Sequence, residues 1–443
     1  MRGNGMLKRL GEERVARGIP ISQASFPVPF GSGLEYASPA RGCWNIVHTG
    51  MLVPEAQEVF ICAASCLRGV VLTAAEMGAA HRFSTVEVKE ENLLNGDMED
   101  LIIEGVTEIL NRLPKMPPAV LVYTSCVHHF TGCDLGLVYG TLRERFPEVD
   151  FTDCYMNPIM RKSGLTPDQL IRKGMLDLLK PRPLRDKAVM LLNFDQPTME
   201  DSDLVVWLKE NGFTIHENSA CDTYGDYQKM AESSHYISYN PAANAGAKLL
   251  ETRLGGKLTY LPFSFHFEEI DNGFRALAET LSIQPPKSRQ EECESALKKA
   301  LDLIGRMPIA IDYTCCSRPL SLARLLLDHG FRVERLYVDT ITGEEKGDFA
   351  YLQEKYPDLE LWPTIHPNMR FGAHQEKGQY LAIGQKAAYF VNTNHFVNLV
   401  SGGGMIGYQA ILHLADLMED AFLHEKDMRN LIQIKGKGCE VCR

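Results

Sequence analysis

The chain has 443 residues and a formal net charge of −11, from 46 Lys and Arg against 57 Asp and Glu. A hydrophobic fraction of 45% and a charged fraction of 23% are ordinary for a folded globular protein and rule out a mainly disordered chain. The acidic balance argues against nucleic acid or anionic lipid as the main partner, because both require a basic face.

No apolar run approaches the ~20 residues of a membrane-spanning helix. The opening segment MRGNGMLKRLGEERVARG lacks the apolar core of a secretory signal, so the expected location is the cytoplasm. Cys43 then sits in SPARGCWNIVHTG, a loop flanked by Gly and Pro. In EVFICAASCLRGVVLTAAEMG an apolar strand turns into a helix. Cys66 stands at or near that helix N-terminus, where the partial positive charge favours an anion. MEDLIIEGVTEILNRLPKMPPAVLVYTSC (98–126) reads as a helix, a Pro-rich turn and a strand ending at Cys126. Its helical period sets Leu101, Ile102, Val106, Ile109 and Leu110 on one stripe.

The Pro-rich, basic stretch LKPRPLRDK (179–187) marks a boundary. Two segments with one layout follow. KAVMLLNF (187–194) precedes DSDLVVWLKENGFTIHE (201–217), and PIAIDY (308–313) precedes PLSLARLLLDHGFRVERLYVD (319–339). Each predicts a strand, a polar loop, an amphipathic helix stopped by Gly212 or Gly330, and a second strand. Alternation of this kind gives βαβ units and parallel sheets. With a second boundary near PPKSRQEE (285–292) or after the helix CESALKKALDLIGR (293–306), the chain divides into three Rossmann-like α/β domains, 1–185, 186–305 and 306–443. GYQAILHLADLMEDAFLHEKDMRNLIQ (407–433) predicts one long amphipathic helix or two, with the stripe serving as core or subunit contact.

The chain has 12 cysteines. In a reducing cytosol they are either small buried hydrophobes or ligands of a soft metal centre. Cys43, Cys66 and Cys126 stand at the edges of secondary structure, where open parallel sheets bind ligands. Their separations, 23 and 60 residues, contain no local CxxC repeat. They fit neither a ferredoxin insert nor a zinc ribbon and would meet only through the fold.

GCWNIVHTGMLVPEAQEVFICAASCLRG resembles the first motif of the nitrogenase molybdenum–iron protein family and its reductase and scaffold relatives: a Cys, a Gly/Pro-bearing stretch, an apolar strand and a Gly-flanked Cys. VYTSCVHHFTGCDLG resembles the second motif, with Cys133 replacing the family's first Asp and Asp134 keeping the second. GYQAILHLADLMED is similar to the family's C-terminal Gly–Tyr helix. The resemblance implies that Cys43, Cys66 and Cys126 ligate an iron–sulfur cluster at a subunit interface, a four-iron or eight-iron P-cluster-like centre. Cys62, one helical turn from Cys66, is the alternative ligand. Three thiolates from one chain imply that a second component-1-like subunit, identical or paralogous, supplies the rest, as in a dimer. The resemblance also implies an anaerobic cytoplasm, and an iron protein that uses ATP and donates electrons. This chain has no phosphate-binding G-x-x-x-x-G-K-S/T of its own.

The sequence departs from the family at the active-site cofactor. Tyr239 in YISYNPAAN stands nearest the place of the family's cofactor cysteine, and His395 in NTNHF is out of register for its histidine. This leaves an electron-transferring reductase subunit acting on an organic substrate, a non-catalytic partner subunit, a scaffold for assembly of a complex metal cluster, or a plain α/β enzyme with incidental cysteines. Cys315 and Cys316 in DYTCCSRPLS read as compact loop formers, with Arg318 either near a substrate cavity or exposed at a helix start. His128 and His129 read as polar loop residues, Gly402–Gly404 as a flexible loop, and the Cys439/Cys442 pair as a frayed terminal peptide. No proton donor is assignable.

Overall fold

The computed structural model describes residues 16–31, 33–40, 46–157, 164–193, 196–371 and 380–432. After β1 (Ile19–Pro20), the first sheet is built from β2 (Gln57–Cys62), β3 (Phe83–Glu87), β4 (Ala119–Ser125) and β5 (Asp150–Met156) in the order β3–β2–β4–β5, all parallel. The second contains β6 (Arg185–Leu192), β7 (Thr214–Glu217), β8 (Ser233–Ser238) and β9 (Lys257–Tyr260) in the order β7–β6–β8–β9, again all parallel. The third contains β10 (Ile309–Asp312), β11 (Val333–Tyr337), β12 (Glu360–Trp362), β13 (Leu381–Ile383) and β14 (Phe396–Val397) in the order β12–β11–β10–β13–β14. Its strands are parallel, and β1 adds to the edge of β12 in the antiparallel sense.

This is the α/β architecture of parallel sheets flanked by helices that the strand–helix alternation predicts. Both repeated segments fold as read. The helix Asp203–Glu210 starts on Ser202, whose hydroxyl accepts from Val205 N, and the helix Pro319–Asp328 starts on a proline. Gly212 (φ 77°) and Gly330 (φ 87°) take the left-handed conformation that ends each helix. The C-terminal amphipathic segment is two helices, Tyr408–Leu423 and Met428–Leu431. The stripe of the longer one is core: Ile411, Leu414 and Met418 are fully buried in a cluster with Leu297 and Ala300 of the helix Gln290–Ile304.

The core explains how the sheets face one another. One side of the first sheet packs on the helices Met98–Arg112 and Leu135–Arg145 through Val59, Val120, Ile102 and Leu142. Its other side shares a cluster with the second sheet, in which Phe60 and Leu121 join Met190, Tyr236 and Leu250. The opposite side of the second sheet, through Val189 and Ile237, shares a cluster with Ile309 and Ile311 of the third. Strands buried on both faces read as continuous apolar runs, which is why AVLVYTS and VMLL carry no alternation. Each fully buried Leu or Ile in these contacts stabilises by about 1.5–3 kcal/mol before entropy is counted.

Candidate functional site: a thiol rim and an interdomain cavity

β2 and β4 are neighbours, paired as far as Ile61 with Thr124. Cys62, the last residue of β2, is therefore level with Ser125, and Cys126 follows as the first residue of the short helix Cys126–Thr131. Cys66 lies in the first turn of the helix Ala64–Glu76, which starts directly beyond β2. Cys66 is exposed, Cys126 half-buried and Cys62 buried. Burial, with the nearby thiols of Cys66 and Cys126 adding to it, pushes the Cys62 thiol up to about 12. Three thiols at or just beyond the C-terminal ends of the two inner strands thus share one neighbourhood. Cys43 lies outside the described residues, as do Cys439 and Cys442. Among the described residues no three Cys, His, Asp or Glu side chains converge closely enough to hold one metal ion.

The surface around these thiols is unusual. The helix Ala64–Glu76 buries only Thr73 and Ala74. Val71 (42%), Leu72 (50%), Phe130 (68%) and Leu137 (57%) stand exposed there and on the two segments after β4. Exposed large apolar side chains on the elements that follow β2 and β4 are a feature of surfaces that bind other molecules. His128 is buried, with Nδ1 accepting from Ser125 N at 3.1 Å, and its Nε2 has no hydrogen-bond partner among the described residues. Burial pushes this imidazole below its usual range. Cys133 is half-buried, and burial, with Glu99 beside it, pushes its thiol up to about 12. Asp134 caps the helix Leu135–Arg145, accepting from Leu137 N at 3.0 Å.

The second feature is a cavity of about 720 Å³ whose wall draws on all three sheets. Asn157 follows β5, Asn193 follows β6, Tyr239 follows β8 and Thr314 follows β10, and all four line it. Parallel sheets bind ligands at the C-terminal ends of their strands, and here three such ends open into one space. The volume suits a small organic molecule. Asn240 Nδ2 donates to Asn193 O at 2.9 Å, which ties β8 to β6 at the wall. Arg172, buried, pairs with Asp168 at 3.2 Å, and both are wall residues.

Several residues singled out in the sequence have defined places. Cys315 and Cys316 are buried with their sulfurs 3.7 Å apart, and Cys316 belongs to the cavity wall. Gly402–Gly404 is a buried turn held down by Gly402 N donating to Cys315 O at 2.7 Å, and Gly402 and Gly404 line the cavity. All three glycines have positive φ, and a Cβ on Gly404 would stand 2.1 Å from Pro197 O. The reading of this stretch as a flexible loop is therefore corrected: close backbone packing, not freedom, is what the glycines provide. Arg318 is neither a wall residue nor exposed. It is buried in ion pairs with Glu269 at 2.6 Å and Asp348 at 2.8 Å, with His266 also 2.6 Å from Asp348. His395 is away from the wall, with Nδ1 2.9 Å from Ala421 O. Sequence reasoning named Tyr239 but missed Asn157, Asn193 and Arg172 as wall residues. The end of each apolar strand was the signal that could have found the two asparagines.

A family profile described as "Nitrogenase component 1 type Oxidoreductase" matches residues 55–422. The chain belongs to the nitrogenase component 1 type oxidoreductase family. The matched span includes Cys62, Cys66 and Cys126 and begins after Cys43. Two solved structures share the fold. One, described as "Nitrogenase Cp1 at pH 6.5", superposes with a TM-score of 0.66 at 15% identity over 89% of this chain and 94% of its own. The other, "Nitrogenase Cp1 at pH 5", gives 0.54 at 12% identity over 94% of this chain and 90% of its own. No curated protein matches by sequence. Among the described residues no helix is long and apolar enough to cross a membrane.

Proposed function

We propose that this chain is the component-1-like subunit of a nitrogenase-like, ATP-dependent reductase of the anaerobic cytoplasm. Cys43, Cys66 and Cys126 would hold an iron–sulfur cluster, with Cys62 as the alternative to Cys66. A second component-1-like subunit, identical or paralogous, would cover the rim and supply the remaining ligands. The donor chemistry fits such a cluster: Cys66 and Cys126 offer soft thiol ligands from beyond two neighbouring strand ends. When bound, the cluster supplies a store for single electrons, delivered by a separate iron protein that uses ATP. The observation that supports the reading is the placement of Cys66 and Cys126 just beyond the ends of the neighbouring strands β2 and β4, with Cys62 beside them and exposed apolar side chains on the same elements.

The cavity is the place for the substrate. Its described wall contributes one thiol, Cys316, and no imidazole, alongside Asn, Thr and Tyr side chains. That set suits an organic molecule oriented by hydrogen bonds better than a second cluster held by a Cys–His pair. The division of the chain at 185 and 305 belongs to the same proposal, and limited proteolysis checks it. The test of function is turnover of the anaerobic protein with an iron protein and ATP. Electrons passing from the iron protein through this chain to an acceptor support a reductase. Release of the cluster to an acceptor apoprotein, with nothing reduced, overturns it in favour of an assembly scaffold.

A further inference from the structure

Behind the cavity wall lies a chain of oxygen atoms that nothing above has used. Glu217 ends β7 and is 6% exposed. Its carboxylate accepts from Thr198 N at 2.9 Å and from the Thr198 hydroxyl at 2.8 Å. The same hydroxyl lies 2.5 Å from the Tyr239 hydroxyl, and either of the two can donate. Tyr239 is part of the cavity wall. The wall turn is pressed onto this chain, because Met199 N donates to Gly404 O at 3.0 Å and Gly404 has no room for a side chain against Pro197.

We propose that Glu217, Thr198 and Tyr239 form a relay that carries protons from solvent to a substrate in the interdomain cavity. The inference rests on the reading of the chain as a reductase, since reduction of an organic substrate consumes protons along with electrons. Carboxyl and hydroxyl groups both donate and accept, which each member of such a chain must do. In one turn of the relay, the Tyr239 O–H bond breaks as a bond forms between that proton and a substrate atom. The Tyr239 oxygen takes the Thr198 hydroxyl proton, and the Thr198 oxygen takes the Glu217 carboxyl proton. A water molecule then returns a proton to the Glu217 carboxylate. One proton moves from solvent to substrate, and the electrons come from the low-potential iron–sulfur donor of the proposed function. Tyr239 is the donor that meets the substrate, and Thr198 and Glu217 act through it.

The surroundings of Glu217 suit the task. The titratable groups facing it among the described residues are the Tyr239 hydroxyl, linked through Thr198, and the Cys221 thiol, which donates to Glu217 O at 3.2 Å. Among the described residues no cation stabilises the carboxylate, and burial pushes its pKa up to about 7, against the hydrogen bonds from Thr198. A proton donor works best with a pKa near the operating pH.

Two measurements on the full anaerobic protein decide the matter. Infrared difference spectra between pH 6 and pH 8 should contain a protonated-carboxyl band that Glu217→Gln removes. Thr198→Val and Tyr239→Phe should both displace that band, and Thr198→Ser should restore it. In turnover with an iron protein and ATP, with a small quinone as the only acceptor, formation of the hydroquinone, which takes up two protons with two electrons, should fall about 25-fold as pH rises from 6.5 to 8.5. Glu217→Gln should slow it about 100-fold at pH 6.5 and flatten the pH profile, with the cluster's paramagnetic resonance spectrum unchanged. A band indifferent to both Thr198→Val and Tyr239→Phe, or a Glu217→Gln protein with the wild-type pH profile, overturns the relay. A wild-type protein that reduces nothing overturns the reductase reading instead, and the infrared spectra still decide whether the three groups are linked.

Discussion

The thiol rim and the interdomain cavity start from the same element, the C-terminal end of a parallel strand, and are finished in opposite ways. At the rim, β2 runs out into the helix Ala64–Glu76, which buries two residues, and β4 into the short helix Cys126–Thr131 bearing exposed Phe130. At the cavity, the ends of β5, β6, β8 and β10 face one another and are closed by the buried turn Gly402–Gly404. The polar groups near the wall have partners within the chain: Asn240 with Asn193, Thr198 with Glu217 and Tyr239. At the rim, the apolar side chains of Val71, Leu72, Phe130 and Leu137 stand exposed among the described residues. A site finished internally can bind a small molecule alone. A site left open on apolar side chains is, on the proposed function, one half of a site completed by a second subunit.

The largest expected effect separates the two regions by assembly. Replacing Leu72 and Phe130 together with Lys should dissociate the proposed pair of subunits on gel filtration. The unfolding free energy should change by no more than about 0.5 kcal/mol, because both side chains are exposed in the single chain. A pair that survives this change would place the interface elsewhere.

Arg318→Ala should do the reverse. It leaves Glu269 and Asp348 without their guanidinium partner and should cost about 3–5 kcal/mol in urea unfolding, with the rim untouched. Asp348 also carries a pH signature. Burial opposes its ionisation, but His266 and Arg318 more than offset this and hold its pKa below the usual range. A lowered carboxyl pKa stabilises above the unfolded value, so this contribution should vanish as pH falls below about 4.

Glu217 should behave in the opposite sense. Its pKa of about 7 stands above the unfolded value, so folding favours the neutral form. The contribution is complete below about pH 4.5 and lost as pH rises through 7, a change of about 3 kcal/mol between pH 4 and pH 8. Glu345, also pushed up to about 7 by burial, adds to the same slope. Glu217→Gln should remove its own share, which thermal unfolding across this range measures. A slope unchanged by the substitution would show that Glu217 is ionised throughout.

Two glycines give the smallest and sharpest contrast. Gly69, in the exposed helix, has nothing within 4 Å of an added Cβ, so Gly69→Ala should stabilise the single chain by about 0.5–1 kcal/mol. Gly404 has positive φ and a backbone oxygen in the way, so Gly404→Ala should lower the melting temperature and enlarge or distort the cavity. Equal effects at the two positions would contradict the distinction between an open face and a closed wall.

Much of this could be read along the chain because its signals are local. The paired strand–helix–glycine segments, the stripe Leu101–Ile102–Val106 and the family motifs around Cys66 and Cys126 are each contained in a few dozen residues. Where the strands end relative to one another is not local. Asn157, Asn193 and Tyr239 share a wall only because the second sheet is packed between the first and the third. Arg318 was ambiguous for the same reason: its partners, Glu269 and Asp348, lie 49 and 30 residues away. The relay was invisible because Glu217 ends β7, Thr198 lies in the loop after β6 and Tyr239 follows β8, with no motif between them. The three glycines misled because mobility and tight packing select the same residue.

The central claim concerns metal held by sulfur at the rim. Iron and sulfide analysis with electron paramagnetic resonance, on anaerobically purified wild type, Cys66→Ala and Cys126→Ala, tests it most directly. The account predicts a brown protein with matching iron and sulfide, and a spectrum lost or altered in both variants. A colourless, iron-free protein contradicts the claim outright, and a spectrum unchanged by Cys66→Ala moves the ligand to Cys62.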